Sequence, residues 1–284
     1  MKIRELYFTL ISIDSEYINK TVIKELLCFV LKIDNKDLLL SFDDEIDNDL
    51  LKVINKDIEL IKDGYPLQYI TNNVNFCSLD FFVDERVLIP RVETEQLVDL
   101  SITYIAKYFD LDNLTIFDVC SGSGVIGLSI KNKFKRSNVY LFDISKSANE
   151  VALFNAKKLN LDVNIIESNC LEYPLINKIK ADVIISNPPY IFDKNKVDYN
   201  VYKYEPSIAL FSSTPTEFYE KIISQGLTLL KDKGMFIFEL EENTKEYLLP
   251  YLNKINNNLI TYNFLNDMYN KCRFLIIKKN LWLT

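Results

Sequence analysis

From residue 115 onward, short apolar runs alternate with amphipathic segments, and this constrains the chain more than any other feature. The strand candidates are Thr115–Val119, Val139–Phe142, Val163–Ile166, Val183–Ser186, Met235–Leu240, Leu259–Phe264 and Arg273–Lys278. Helix candidates lie between them, near 125–134, 146–159, 216–231 and 244–255. Strands that read as continuous apolar runs, each followed by a helix, form a mostly parallel sheet covered on both faces. Only the last connection is short, from Leu265 to Lys271, so the sheet is expected to end in an antiparallel hairpin.

The chain ahead of this region has a different period. Leu6, Leu10, Ile13 and Tyr17 recur at three- and four-residue spacing. So do Ile23, Leu26, Leu27, Val30 and Leu31, and then Leu50, Leu51, Ile54, Ile58 and Ile61. Residues 1–71 are therefore expected to be a helical domain. Thr21 is the expected N-cap of the second helix, and Gly64 with Pro66 the stop of the third. Residues 72–90 suit a linking hairpin, with Val74–Cys77 and Phe81–Val83 flanking a turn at Ser78-Leu79-Asp80. A helix is expected over about 92–108, and residues 91–284 form the second domain.

The net charge of −7 is concentrated near the start, where residues 1–80 carry 9 Lys/Arg and 15 Asp/Glu. A protein that binds mainly by neutralising nucleic-acid phosphates would show the opposite balance. The chain has no histidine, which excludes Ser-His-Asp and Cys-His nucleophile systems and imidazole metal ligands. The five cysteines include no Cys-x-x-Cys pair, so no metal site is expected and a reducing cytoplasm fits best. Lys2 and Arg4 precede an apolar stretch, but Asp14 and Glu16 follow with no small-residue cleavage site, so a surface helix is expected there. No apolar run reaches the ~18 residues of a membrane helix.

Two motifs carry chemistry. With only six glycines in 284 residues, each retained glycine is informative. Strand residues Ile116–Val119 lead into Cys120-Ser121-Gly122-Ser123-Gly124, with Gly127 completing a G-x-G-x-x-G pattern. Such a loop lets backbone approach a nucleoside cofactor. Asp143 ends the next strand and can accept hydrogen bonds from ribose hydroxyls. Asp118, at the strand end, is expected to meet the ammonium of a methionine moiety, which favours S-adenosylmethionine over a dinucleotide. The second motif is Asn187-Pro188-Pro189-Tyr190, directly after the strand Ala181–Ser186. Ligands sit at the carboxyl ends of strands in open α/β sheets. Asn187 offers a side-chain carbonyl, the prolines leave only backbone carbonyls, and Tyr190 offers a flat face. Together they describe a cradle for a planar –NH2 group. Catalysis would come from orientation and preorganised acceptors, with no strong base required.

At this point the sequence resembles the bacterial peptide chain release factor glutamine methyltransferases, over most of residues 64–280. The resemblance runs through Gly64–Ile70, the Leu88–Val98 string (Leu-Ile-Pro-Arg-Val-Glu-Thr-Glu-Gln-Leu-Val), Asp143-Ile144-Ser145, Asn187–Tyr190, Tyr204-Glu205-Pro206 and Ala209-Leu210. It implies a Rossmann-like, seven-stranded S-adenosylmethionine-dependent methyltransferase sheet, with an N-terminal helical domain that helps grip the release factor. It implies cofactor contacts from Cys120, Ser121, Gly122, Ser123, Gly124, Asp143, Cys170 and Asn187, with a further adenine contact near Asn169. It implies Asn187, Pro188, Pro189 and Tyr190 as the glutamine site, with Asn187, Pro188 and Tyr190 serving the chemistry. The implied reaction is methyl transfer to the side-chain amide nitrogen of the glutamine in the Gly-Gly-Gln loop of release factors. The expected enzyme is a cytoplasmic monomer without direct nucleic-acid or membrane contact.

The chain departs from the family pattern at several points: Cys120 and Asn72 stand where glycines are usual, Asn169 where an acid is usual, Phe211–Pro215 where a glycine-rich stretch is usual, and Glu239-Leu240-Glu241 where Glu-Ile-Gly is usual. The alternative reading is an adenine-N6 methyltransferase acting on DNA or RNA, which uses the same amine cradle. The negative charge argues against it. A nucleotide-binding scaffold without catalysis and a dinucleotide-dependent oxidoreductase leave the Asn-Pro-Pro-Tyr string unexplained.

Overall fold

A computed structural model describes residues 1–256 and 259–280. It divides into two compact units, Met1–Asn73 and Val74–Thr284.

The first unit consists of helices α1 (Ile3–Ile11), α2 (Lys20–Leu31), α3 (Asn48–Lys62) and α4 (Leu67–Thr71), with a 3-10 turn at Leu40–Asp43. The three apolar stripes meet in one core that includes Leu6, Leu10, Ile23, Leu26, Leu27, Ile54, Ile58 and Ile61. The N-cap of α2 is Asn19, not Thr21: its Oδ1 accepts from Thr21 N at 2.9 Å and Val22 N at 3.1 Å. Both residue types cap well, and the one whose carbonyl oxygen reaches both orphan N–H groups wins. Gly64 (φ +79°) follows the end of α3, as the sequence leads one to expect.

The second unit opens with the hairpin of β1 (Val74–Phe76) and β2 (Leu79–Phe81). Its turn is Cys77-Ser78, both at positive φ, rather than Ser78-Leu79-Asp80. A two-residue turn with both residues left-handed matches the strand twist, and neither residue here is a glycine to advertise it. Next come α5 (Val92–Tyr108), β3 (Thr115–Val119), α6 (Val125–Lys133), β4 (Asn138–Asp143), α7 (Lys146–Lys158), β5 (Asn164–Glu167), α8 (Glu172–Asn177) and β6 (Ala181–Ser186). The remainder is α9 (Tyr199–Tyr204), α10 (Ser207–Leu210), α11 (Glu217–Leu229), β7 (Leu230–Glu239), α12 (Thr244–Ile255), β8 (Ile260–Asn266) and β9 (Cys272–Lys279).

The seven-stranded sheet has the order β5-β4-β3-β6-β7-β9-β8. Its first five strands are parallel, and β9 runs antiparallel to both neighbours. Side chains alternate between two cores. Ile116, Val183, Ile185, Met235 and Ile237 pack on one face, and Phe117, Val119, Ile184, Phe236 and Phe238 on the other. The continuous apolar runs are thus a period-2 pattern with both faces buried. From β3 the chain winds outward through β4 and β5, then crosses back to β6 on the other side. The switch point of the sheet therefore lies between the carboxyl ends of β3 and β6, where such folds place ligands.

Candidate active site

The glycine loop between β3 and α6 is held from beneath. Ser121 N donates to Phe142 O at 3.2 Å, and Gly124 N to Ser121 O at 2.8 Å, closing a tight turn. The glycines of the pattern do different work. A Cβ on Gly122 (φ +53°) would meet nothing within 4 Å, so the backbone there faces open space. A Cβ on Gly124 would come within 2.8 Å of Leu141 Cδ2, and one on Gly127 within 2.9 Å of Asp118 Oδ2. Those two are packing glycines, and only Gly122 opens toward a ligand.

Asp118 does not take the place expected of it. Its side chain is fully buried, and Oδ2 accepts from Gly127 N at 2.8 Å, at the start of α6. Burial pushes its carboxyl up to about 7. Strand alternation turns residue 118 onto the face covered by α6, so it anchors the loop instead of lining the cavity.

Above the loop lies a cavity of about 280 Å³. Of the residues expected at the cofactor, Cys120, Gly122, Asp143, Cys170 and Asn187 line it, together with Asn169 and Pro189. Ser121 and Ser123 are buried in the loop, and with Gly124 they shape the turn rather than the wall. Asp143 accepts from Gly122 N through Oδ2 and from Ser145 N through Oδ1, each at 2.8 Å. Burial pushes its carboxyl up while these N–H groups pull it back down. Two carboxylate oxygens retain accepting capacity beyond those two bonds. Cys120 (φ +60°) and Cys170 (φ +53°) both adopt the left-handed conformation beside the cavity. Hydrogen bonding to Cys170, together with burial, raises the Cys120 thiol well above its usual range. Ile144, Ile208 and Phe218 add apolar wall. A backbone open at Gly122, a carboxylate for hydroxyls and an apolar slot for a planar base fit an adenosyl group.

A second cavity, of about 240 Å³, is lined by Pro188, Tyr190, Arg91 and Val201, among others. Asn187, Pro189, Leu88 and Ala209 belong to the walls of both cavities. The cradle is therefore a partition between two compartments. Sheet register accounts for this. Ser186 of β6 pairs with Val119 of β3 on one side and with Phe238 of β7 on the other. The next residue along, Asn187, thus emerges between Cys120 and Glu239. Burial pushes the Tyr190 hydroxyl up to about 12, so it stays protonated, an uncharged ring in the second wall.

The Leu88–Val98 string frames the second cavity. Glu205, 6% exposed, accepts from Ile89 N at 3.0 Å and pairs with Arg91 Nη2 at 2.5 Å. That carboxylate ties the string to the end of α9. Further along, Thr94 Oγ1 accepts from Asn187 Nδ2 at 3.2 Å. Sequence reasoning missed Thr94, Glu239 and the far walls from Arg86–Leu88 and Ile208–Phe218. Thr94 lies inside the recognised string and Glu239 ends a strand at the same crest as Asn187, which was the available signal.

Among the described residues, no helix is long and apolar enough to cross a membrane, and no cluster of potential metal ligands occurs.

Comparison with known proteins agrees with this architecture. A family model described as "Methyltransferase small domain" matches residues 91–204, and one described as "PrmC N-terminal domain" matches residues 15–71. A release factor glutamine methyltransferase of Mycoplasma mycoides is 32% identical over 271 residues, covering 92% of this chain and 93% of its own. One from Flavobacterium psychrophilum is 35% identical over 224 residues, covering 78% of each. Among solved structures, the T. thermophilus 16S rRNA N2 G1207 methyltransferase in complex with AdoMet and guanosine superposes with a TM-score of 0.53. It is 11% identical, over 74% of this chain and 50% of its own, a likeness of fold alone. By identity sustained over nearly its whole length, this chain belongs to the release factor glutamine methyltransferase family.

Proposed function

We infer that this chain uses S-adenosylmethionine to methylate the side-chain amide nitrogen of the glutamine in the Gly-Gly-Gln loop of peptide chain release factors. The observation that carries this reading is the shared wall: Asn187 and Pro189 border both the adenosyl-sized cavity and the second cavity. An acceptor-bearing partition is what a transfer between two compartments needs.

S-adenosylmethionine supplies a methyl group on a positively charged sulfur. The glutamine amide is a weak nucleophile because its nitrogen lone pair is delocalised into the carbonyl. Asn187 Oδ1 and the Pro188 carbonyl accept its two N–H bonds, which returns electron density to nitrogen and fixes its direction; as the N–C bond forms, the sulfonium C–S bond would break to leave S-adenosylhomocysteine, and the nitrogen would release one proton to solvent. Pro188 and Pro189 have no N–H to compete for those acceptors, and their fixed φ keeps the carbonyls in place. Tyr190 stacks on the amide plane. Asp143 takes the ribose hydroxyls, and Cys120, Gly122 and Cys170 form the rest of the adenosyl seat. The contribution is orientation and preorganised electrostatics. The helical unit at the N-terminus is assigned to gripping the release factor.

The test is incubation with labelled S-adenosylmethionine, with release factor and DNA offered side by side. Label on the release-factor glutamine, located by mass spectrometry of a digest, is the expected outcome. Label on DNA alone would replace this reading by the adenine-N6 one. Asn187→Ala should largely spare cofactor binding and abolish amide methylation, and full methylation by that variant would remove Asn187 from its role.

A further inference from the structure

Behind the cradle lies a buried polar group that the scheme above leaves unused. Glu239 is the last residue of β7 and only 2% exposed, and its Oε2 has no hydrogen-bond partner among the described residues. Thr94, in the first turn of α5, is 3% exposed. Asn187 Nδ2 donates to Thr94 Oγ1 at 3.2 Å, and Thr94 and Asn187 both lie close enough to the Glu239 carboxyl to favour its charged form.

We propose that Glu239 and Thr94 are positioning residues that decide which end of the Asn187 carboxamide faces the substrate. This rests on the reading of Asn187 as the acceptor of the glutamine –NH2.

A carboxamide has two ends of nearly equal shape, one accepting and one donating. Turned the wrong way, Asn187 would set its own N–H groups against those of the substrate, and the cradle would repel what it should hold. Local packing cannot tell oxygen from nitrogen; only a neighbour with fixed polarity can. An ionised carboxylate accepts and never donates. The single Thr94 hydroxyl proton is therefore drawn to Glu239, and the lone pairs of Oγ1 are left for Asn187 Nδ2. With the nitrogen end so engaged, Oδ1 is the end offered to the substrate. Protonation removes the discrimination. A neutral Glu239 can donate to Thr94, whose proton is then free to turn toward Asn187 and stabilise the reversed amide.

Burial pushes the Glu239 carboxyl up to about 7, against the nearby Thr94 and Asn187 side chains and the charge of Arg273 on β9. Glu93 on α5 adds to the rise, Tyr190 faces it from the loop after β6, and the Tyr219 hydroxyl on α11 donates to its backbone carbonyl at 3.0 Å. Activity should accordingly fall on the acid side of neutrality, as the polarity of the relay is lost.

The experiment uses the full chain with release factor and saturating S-adenosylmethionine, over roughly pH 6 to pH 9. Both variants keep shape: Glu239→Gln replaces an acceptor-only group with one that can also donate, and Thr94→Val removes the relay. Each should lower kcat by about tenfold to a hundredfold, as expected for a misoriented catalytic group. Glu239→Gln should also lose the acid limb near pH 7, while Thr94→Ser, which keeps the hydroxyl, should restore kcat. Cofactor affinity by calorimetry should not change, because neither residue lines the cofactor cavity. A second readout does not depend on turnover: the Asn187 side-chain amide resonances should titrate with a midpoint near 7 in the wild type and stay flat in Glu239→Gln. Wild-type kcat and an unchanged acid limb in both isosteric variants, or an Asn187 amide insensitive to pH, would overturn the proposal. An inactive wild type with a normal amide titration would instead count against the assigned substrate and leave the relay supported.

Discussion

Replacing Asp118 by Asn gives a sharp test of how the glycine loop is anchored. Asp118 is fully buried; Oδ2 accepts from Gly127 N, and Oδ1 has no partner among the described residues. Burial raises its carboxyl from 3.8 to about 7, and the nearby Asp143 adds to the rise. The folded protein therefore holds a proton that the unfolded chain releases near pH 4. The sign follows from that: the stability contribution is complete below pH 4 and is lost progressively as pH rises through 7. At about 1.4 kcal/mol per unit, the full loss is on the order of 4 kcal/mol, of which about 1.5 kcal/mol falls between pH 6 and pH 8.5. Asparagine keeps an oxygen for Gly127 N and stays neutral throughout. Whatever constant offset the substitution introduces, the stability of Asp118→Asn relative to wild type should climb by about 1.5 kcal/mol from pH 6 to pH 8.5. Urea denaturation at the two pH values, followed by circular dichroism, measures it. Glu239, also raised, is present in both proteins and cancels in the difference. A difference that stays flat with pH would show that Asp118 is already ionised in the folded state, and the account of a buried neutral anchor would be wrong.

Three further substitutions probe the two cavities. Asp143→Asn removes a charged acceptor and sets an –NH2 against one of the two backbone N–H groups it now serves, so S-adenosylmethionine should bind more weakly by about 1.5–3 kcal/mol; calorimetry showing unchanged affinity would take Asp143 out of the site. Cys120→Gly relieves a left-handed non-glycine residue, worth about 1–2 kcal/mol, against about 0.5–1 kcal/mol of added backbone entropy, so a small rise in thermal stability is expected and a fall would refute the strain. Glu205→Ala orphans the Ile89 N–H and unties Arg91; it should cost roughly 1–3 kcal/mol of stability and raise KM for the release factor, and a wild-type KM would separate that tether from substrate binding.

What could be read in the sequence follows from what local chemistry determines. All seven strands of the large sheet were legible; in the central ones, burial on both faces leaves runs such as Val183–Ile185 with few polar residues to confuse the reading. Helices of four to six residues, such as Glu172–Asn177, Tyr199–Tyr204 and Ser207–Leu210, complete too few turns to show a period. The hairpin turn was misplaced because its left-handed positions hold Cys77 and Ser78 rather than Asn and Gly. At the site, residues at strand ends were found, since the fold class alone says where strand ends lead. Walls contributed by Arg86 and Phe218 depend on how distant segments pack, which no local pattern encodes. Asp118 shows the limit from the other side. Its position in the chain was correctly singled out, but its direction depends on which face of the strand residue 118 occupies.

That dependence on direction also bears on the departures from the family's glycines. The residues assigned to the site are placed by sheet register, and register is a property of the whole strand. Because Ser186 pairs with Val119 and Phe238, the single step to residue 187 sets Asn187 beside the cofactor loop on one flank and the β7 carboxylate on the other. A slip of one residue would send every side chain of β6 to the opposite face and bury Val183 and Ile185 against the wrong core. The cost of such a slip is spread over the apolar contacts of both cores, so the position of Asn187 is defended by residues that never touch a substrate. Loop glycines contribute only local backbone freedom. Losing one, as at Cys120, imposes a strain of about 1–2 kcal/mol and leaves the register, and hence the partition between the two cavities, where it was.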